Sequence, residues 1–260
     1  MTYDLYFDQL NFAHKINGDP SFSEVFEKHF HLLYEINFIL EGEVELLLEN
    51  KLYRLSSGDM IFIKPGEHHC VTPSKNKKYE RYILKFNEEV VPSNLLEQLK
   101  NKPVSTTIKR SVLSELFYQL DWHYKNYAGN DMKSIMLNVL NEILAYFCVL
   151  DKEAEKKEIK YLNKNMENIV KYINEHIEED IKIKDICDMF HYSRSYICKE
   201  FISCMQVPIK QYIRTKKIFY AHSLIQAGKK PTEVYSVCGY NEYSTFYRNY
   251  LSIIGKAPGL

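Results

Sequence analysis

Several features are scarce in this 260-residue sequence, and each scarcity excludes something. No apolar run approaches the ~18 residues that a membrane-crossing helix needs. The opening stretch, Met1-Thr2-Tyr3-Asp4-Leu5-Tyr6, has neither a basic segment nor an apolar core, so a secretory leader is not expected and a cytoplasmic location is. The six cysteines (Cys70, Cys148, Cys187, Cys198, Cys204 and Cys238) include no C-x-x-C pair. They fall mostly in helical patterns, where a reduced thiol packs as a small hydrophobe. Disulfides are not expected in the cytoplasm.

Net charge is also absent, with 34 Lys/Arg against 34 Asp/Glu, but the balance is not local. Residues 181–260 carry 12 basic and 5 acidic side chains, an excess of seven that the remainder of the chain offsets. A basic C-terminal third on an otherwise acidic chain suits a nucleic-acid-binding module joined to a module with another task. The length allows two domains of ordinary size.

The first part of the chain reads as strands. Tyr34–Leu40, Glu43–Glu49, Met60–Lys64 and Tyr79–Phe86 are rich in β-branched and aromatic residues. Turn chemistry separates them at Glu41-Gly42, Glu49-Asn50-Lys51, Ser56-Ser57-Gly58-Asp59 and Pro65-Gly66. Residues 1–25 are expected to form a loop or an edge strand. Closely spaced antiparallel strands of this kind make a sandwich or small barrel. Within them, His29-x-His31-x3-Glu35-x6-Gly42, followed by Gly58, Pro65-Gly66 and His69, resembles the two motifs of the cupin barrel.

That resemblance implies a first domain over residues 1–92 with a ligand site inside it. Two readings of the site follow. The preferred one is a pocket for an organic effector, lined by His29, His31, Tyr34, Glu35, Phe38, His69, Tyr82 and Phe86, with no cofactor. The alternative is a divalent metal on His29, His31, Glu35 and His69, since imidazole with carboxylate suits first-row ions.

Helical periodicity begins after Pro92 and Pro103. Val112, Leu113, Leu116, Phe117 and Leu120 form one apolar stripe. Ile135, Met136, Val139, Leu140, Ile143, Leu144 and Phe147 form a wider one, which asks for two partners. Residues 93–150 are therefore a helical segment, with the second partner either an intramolecular helix or the same helix in a second subunit. Asp151–Asn165 is dense in charge and reads as an exposed linker or frayed helix.

Residues 166–260 read as helical throughout, with Ile169, Ile173 and Ile177 on one face of the first helix. Lys184–Phe190, a His191-Tyr192 turn and a helix capped by Ser193 make one helix-turn-helix, with Tyr196, Ile197 and Phe201 inward. A long helix over Ile209–Ala227 leads to a second unit. There Pro231, Thr232 and Glu233 start a helix, with Thr232 as cap; Gly239 stops it, and Phe246 and Tyr250 point inward from the next.

Lys217-Ile218-x-x-Ala221-x-x-Leu224-Ile225, Val234, Gly239-Tyr240, Phe246, Arg248, Tyr250 and Gly255-x-x-Pro258 resemble the signature of AraC/XylS transcription regulators over roughly the last hundred residues. Lys217 stands where that family usually has arginine, Tyr235 where it has alanine, and the sequence stops at Leu260, short of the usual terminal aromatic. The resemblance implies an α+β protein: a cupin-like antiparallel β-barrel with dimerisation helices, then an all-α domain with two helix-turn-helix units. It implies promoter DNA, a small-molecule effector, RNA polymerase and a second copy of the chain as partners, and no membrane.

Carried over position by position, the resemblance makes Ser195, Cys198 and Lys199 base-facing in the first reading helix, with Arg194 near the backbone. In the second these are Tyr243, Ser244, Tyr247 and Arg248. Arg214, Lys216, Lys217, Lys229 and Lys230 are expected on phosphates. The rival from another class is a metal-dependent cupin enzyme with a basic helical appendage; a third reading is a constitutive DNA binder whose barrel is only a scaffold.

Overall fold

The computed structural model describes residues 2–17, 30–74, 77–99, 102, 104–108, 111–150, 159–161 and 163–259. The chain divides into two compact units, Met1–Leu48 with Leu52–Lys160, and Glu49–Lys51 with Tyr161–Leu260.

The first unit opens with two strands, β1 (Tyr3–Phe7), an edge strand as expected within residues 1–25, and β2 (Leu10–Asn17) beside it. They are followed by β3 (Tyr34–Glu41), β4 (Glu43–Leu48), β5 (Lys51–Ser56), β6 (Asp59–Ile63), β7 (His69–Pro73) and β8 (Tyr79–Phe86). Then come α1 (Ser93–Leu99), β9 (Ser105–Thr107), α2 (Val112–Asn126) and α3 (Gly129–Val149). A six-stranded sheet has the order β1-β2-β8-β3-β6-β9. A four-stranded sheet has the order β10-β5-β4-β7, where β10 is Ile159–Tyr161. The two sheets form an open, barrel-like sandwich, because no ladder among the described residues joins one to the other.

Turns set the pairing. Gly42, at φ +109°, makes the β3–β4 turn, and a Cβ there would sit 2.5 Å from the Lys78 carbonyl oxygen. Only glycine meets both conditions.

Alternation along β3 and β8 decides which residues do what. Tyr34, Ile36 and Phe38, with Tyr82, Leu84 and Phe86, are buried with the helices in one core. Phe38 meets Phe117 of α2 at 5.0 Å between ring centroids, and Phe62 of β6 meets Phe147 of α3 at 5.2 Å. Ile39 and Tyr79 face the other way, into a second core with Val44, Leu46, Leu48, Tyr53, Leu55, Ile61 and Ile63 between the sheets. Burying each such aliphatic or aromatic side chain stabilises the unit by about 1.5–3 kcal/mol.

The wide stripe on α3 has both of its partners within this unit, since Met132, Met136, Leu140, Ile143, Leu144 and Phe147 share the first core with α2 and the six-stranded sheet. By length and composition α3 is apolar enough to span a bilayer, yet these residues are buried in protein. Ser111 begins α2 with a reciprocal capping box to Ser114.

The second unit is helical: α4 (Lys164–Glu175), α5 (Ile183–Phe190), α6 (Arg194–Met205), α7 (Ile209–Gln226), α8 (Pro231–Val237) and α9 (Tyr243–Ile254). The linker read from Asp151 to Asn165 is only partly described. Its described end is not frayed: Ile159–Tyr161 is a strand, and the Asn163 side chain accepts from the amides of Asn165 and Met166 to start α4. Ile177 lies beyond the end of α4, which is capped at His176.

Candidate functional site

In the first helix-turn-helix, α5 ends at His191, which takes the left-handed conformation at φ 56°. Ser193 caps α6 by accepting the Tyr196 amide at 3.2 Å. Ile197 and Phe201 are fully buried, which leaves Arg194, Ser195 and Lys199 exposed and Cys198 half-buried on the outer side. Tyr196 is half-buried and lies against Tyr192, at 4.8 Å between rings, rather than in the core.

The second unit of this kind is built differently. Pro231 occupies the first turn of α8 after Lys230; Thr232 is not the cap, and no side chain caps that end. Gly239 turns at φ +68°, and a Cβ there would lie 2.7 Å from both the Glu179 carbonyl oxygen and Lys217 Nζ. Val234, Cys238, Phe246 and Tyr250 are buried together with Ile218, Ala221 and Ile225 of α7. Burial pushes the Cys238 thiol up to about 11, so it stays protonated and inert. Ser244, Tyr247 and Arg248 are exposed on α9, whereas Tyr243 is half-buried and packs edge-on against Tyr235 at 5.7 Å. The bulk of Tyr235 is thus accommodated by an aromatic contact.

Two lysines expected on phosphates are engaged elsewhere. Lys217 is buried, and its ammonium donates to the carbonyls of Glu179 and Cys238. Burial first of all lowers its pKa, against the opposing pull of Asp180, Cys238 and Glu179. Lys216 pairs with Glu49, within the same compact unit, at 2.6 Å. Arg214, Lys229 and Lys230 are exposed.

The residues expected to line an effector pocket separate into two groups. Tyr34, Phe38, Tyr82 and Phe86 belong to the sheet–helix core, on the face of β3 and β8 turned away from the sandwich interior. His31, Glu35 and His69 do come together, with donor atoms within 4.8 Å of one another. His29 lies outside the described residues.

Glu35 is the hub of that cluster. Its Oε2 lies 2.7 Å from His31 Nε2, 2.9 Å from Lys85 Nζ and 3.8 Å from His69 Nε2, and its Oε1 accepts from Asn37 Nδ2 at 2.7 Å. Burial pushes the carboxyl up. The His31 hydrogen bond, with the charges of Lys85, His31 and His69, outweighs it and holds the group well below the usual carboxylate range.

Four residues that sequence reasoning passed over share this interior: Asn37, Tyr79, Arg81 and Lys85. Arg81 is buried with its guanidinium carbon 4.3 Å from the centre of the Tyr79 ring. The Tyr79 hydroxyl is buried without a hydrogen-bond partner among the described residues. The signal that finds them is parity: on β8, odd positions face the interior once Tyr82 is known to face the helices. The arrangement sets fixed donors and acceptors beside the apolar residues of the second core.

The family described as the AraC-like ligand binding domain matches residues 22–120, and a family described as a helix-turn-helix domain matches residues 186–259. The chain is 27% identical over 105 residues to the probable transcriptional regulator LumQ of Photobacterium leiognathi, covering 40% of this chain and 42% of LumQ. The match thus spans less than half of LumQ. Over 214 residues it is 23% identical to the HTH-type transcriptional regulator YdiP of Escherichia coli K12, covering 80% of this chain and 71% of YdiP. Among solved structures, an apo ToxT variant from Vibrio cholerae is 18% identical with a TM-score of 0.40, covering 99% of this chain and 94% of that one. The AraC-like transcriptional activator CuxR is 12% identical with a TM-score of 0.43, covering 87% and 79%.

Proposed function

The chain belongs to the AraC family of transcriptional regulators, and on that premise we propose how it works. It reads promoter DNA through α6 and α9 and is set by a small effector held between the sheets of the first unit. The metal-dependent enzyme is set aside, because the matched families and curated relatives are those of DNA-binding regulators.

One observation carries the reading of α6 and α9. Each helix sends apolar residues into its core, Ile197 and Phe201 from one and Phe246 and Tyr250 from the other, and presents a short row of exposed polar or basic side chains in its first half: Arg194, Ser195 and Lys199 on one, Ser244, Tyr247 and Arg248 on the other, with Ile202 and Leu251 exposed further along. That is the division of labour a helix needs to enter a major groove. Arg248 donates to a guanine edge, while Arg194, Arg214, Lys229 and Lys230 hold phosphates. Cys198 and Tyr243, both half-buried, border the surface and add shape.

The protein works in the cytoplasm as a homodimer that contacts RNA polymerase. With the α3 stripe buried inside its own unit, support for the dimer shifts to α2, where Tyr118 and Trp122 are exposed one turn apart. Their outer surface, at 48% and 56% exposure, is an aromatic strip of the kind found at self-association surfaces. Selection of binding sites from random DNA by the intact protein tests the reading, with Arg194, Lys199 and Arg248 each replaced by alanine. A recovered motif that weakens in these variants supports it, and failure to enrich any sequence overturns it.

A further inference from the structure

Helices α6 and α9 are built on one plan. Each is 12 residues long, and one is the other moved 49 positions along the chain, Arg194 to Tyr243 at the start and Met205 to Ile254 at the end. Both stop at a left-handed residue, Gln206 at φ 55° and Gly255 at φ 81°. Ile197 and Phe201 are buried from one as Phe246 and Tyr250 are from the other. The outer row repeats as well: Ser195 and Ser244, then Lys199 and Arg248 four residues on, then Ile202 and Leu251 three beyond these. Ile202 is 48% exposed and Leu251 43%.

One exposed aliphatic side chain is ordinary on a protein surface. Here the exposure recurs at the same place in two helices of different sequence, at the end of the same polar row. Seven residues are two turns, so each aliphatic side chain stands on the face of its serine, about 10 Å along the axis. Whatever covers Lys199 reaches Ile202, about 4.5 Å further on, and whatever covers Arg248 reaches Leu251. The occupant that fits those charges is DNA, and a protein partner would have to displace it from the same face. An aliphatic side chain donates no hydrogen bond, so it gains nothing from phosphate oxygens. The apolar group that a base pair presents in the major groove is the C5-methyl of thymine.

Taking the reading of α6 and α9 above as its starting point, we propose that Ile202 and Leu251 are specificity-determining residues, each packing on a thymine methyl group. Each half of the binding site then carries a thymine within about two base pairs of the base that Lys199 or Arg248 reads. A lysine or arginine at either position would strengthen binding to every sequence alike, through phosphate. Isoleucine and leucine select.

The test uses the intact protein and the motif it selects from random DNA. Each thymine of the motif is replaced in turn by uracil, which keeps the base pair and removes only the methyl group; affinity is read by fluorescence anisotropy. Uracil at one position in each half is expected to weaken wild-type binding about fourfold, the worth of one buried methyl group. In Leu251→Ala the loss at one of these positions disappears and the other stays; in Ile202→Ala the two exchange. Both side chains are exposed, so thermal melts of both variants should match the wild type.

A selected motif without thymine, or wild-type protein indifferent to uracil at every thymine, overturns the proposal. So do variants that bind every sequence more weakly yet keep full sensitivity to uracil, since the methyl groups then touch other residues. In each of these cases the recovered motif leaves α6 and α9 standing as reading helices. Failure to enrich any sequence overturns that reading, and this inference with it.

Discussion

Lys217 shows how far a residue's role depends on what surrounds it. In sequence it is one of a run of basic residues on a helix, the usual look of a phosphate-binding edge. In the structure its ammonium braces the carbonyls of Glu179 and Cys238, beside the one glycine that leaves it room. Lys217→Met should therefore cost about 2–4 kcal/mol of stability by leaving buried carbonyls unpaired, read as a lowered denaturation midpoint. The salt dependence of DNA binding by the protein that remains folded should be unchanged. Arg248→Ala should do the opposite: leave the melting temperature alone, weaken the preferred site by about 1–3 kcal/mol and relax one base position. Equal weakening on every sequence would place Arg248 on phosphate. The candidate effector residues were less legible than the two helix-turn-helix units, for a physical reason. β3 and β8 are covered on both sides, and the parity that faces the interior carries the polar Glu35, Asn37, Arg81 and Lys85, which in sequence look like solvent positions, so the aromatic residues Tyr34, Phe38, Tyr82 and Phe86 look like the lining. Only contact with Phe117 and the rest of the helix core shows which parity faces which way.

At the scale of elements, α2 is held to the six-stranded sheet by a polar knot at the edge of the aromatic core. Asp121 accepts from Tyr3 Oη at 2.7 Å and meets His14 Nδ1 at 3.0 Å, while His14 Nε2 meets Glu80 at 2.9 Å. Tyr3 also stacks on Tyr124 at 3.9 Å between ring centroids. Asp121→Ala should loosen α2 from the sheet and cost about 2–4 kcal/mol, as buried groups lose their partners; hydrogen exchange should quicken in α2 before α9. Burial raises the Glu80 carboxyl, but hydrogen bonds from Lys78 and His14 outweigh it and leave the group below its usual range. A folded-state value that is depressed adds stability above the unfolded carboxylate range and loses it as pH falls. Urea midpoints should thus drop more steeply on acidification in the wild type than in Glu80→Gln, and parallel curves would exclude this contribution. The long helices were legible because their apolar stripes have a single period. Strands β5 and β7 were not, since Lys51–Ser56 and His69–Pro73 are short and interrupted by charged or turn-forming residues.

At the scale of the molecule, each compact unit has its own buried core, so residues 161–260 should fold and bind DNA alone. The fragment should bind weakly, without response to any effector and with a steep loss on raising salt. Intact protein should bind more tightly if it dimerises, because the second contact becomes intramolecular. Titrations of both on one promoter decide it. A folded fragment without affinity at low salt would break the two-module reading, and equal affinities would remove the dimer.

The parity of β3 and β8 also bears on how such a regulator changes over generations. Glu35, Asn37, Tyr79 and Arg81 project from the same strands as Tyr34, Phe38 and Tyr82 but toward the opposite face of the sheet. Substitutions at the interior positions can therefore be accepted while the seam of Phe38 and Phe117 that packs the strands on α2 stays as it is. A lineage built this way can change the chemistry of one face of a sheet without rebuilding what packs on the other.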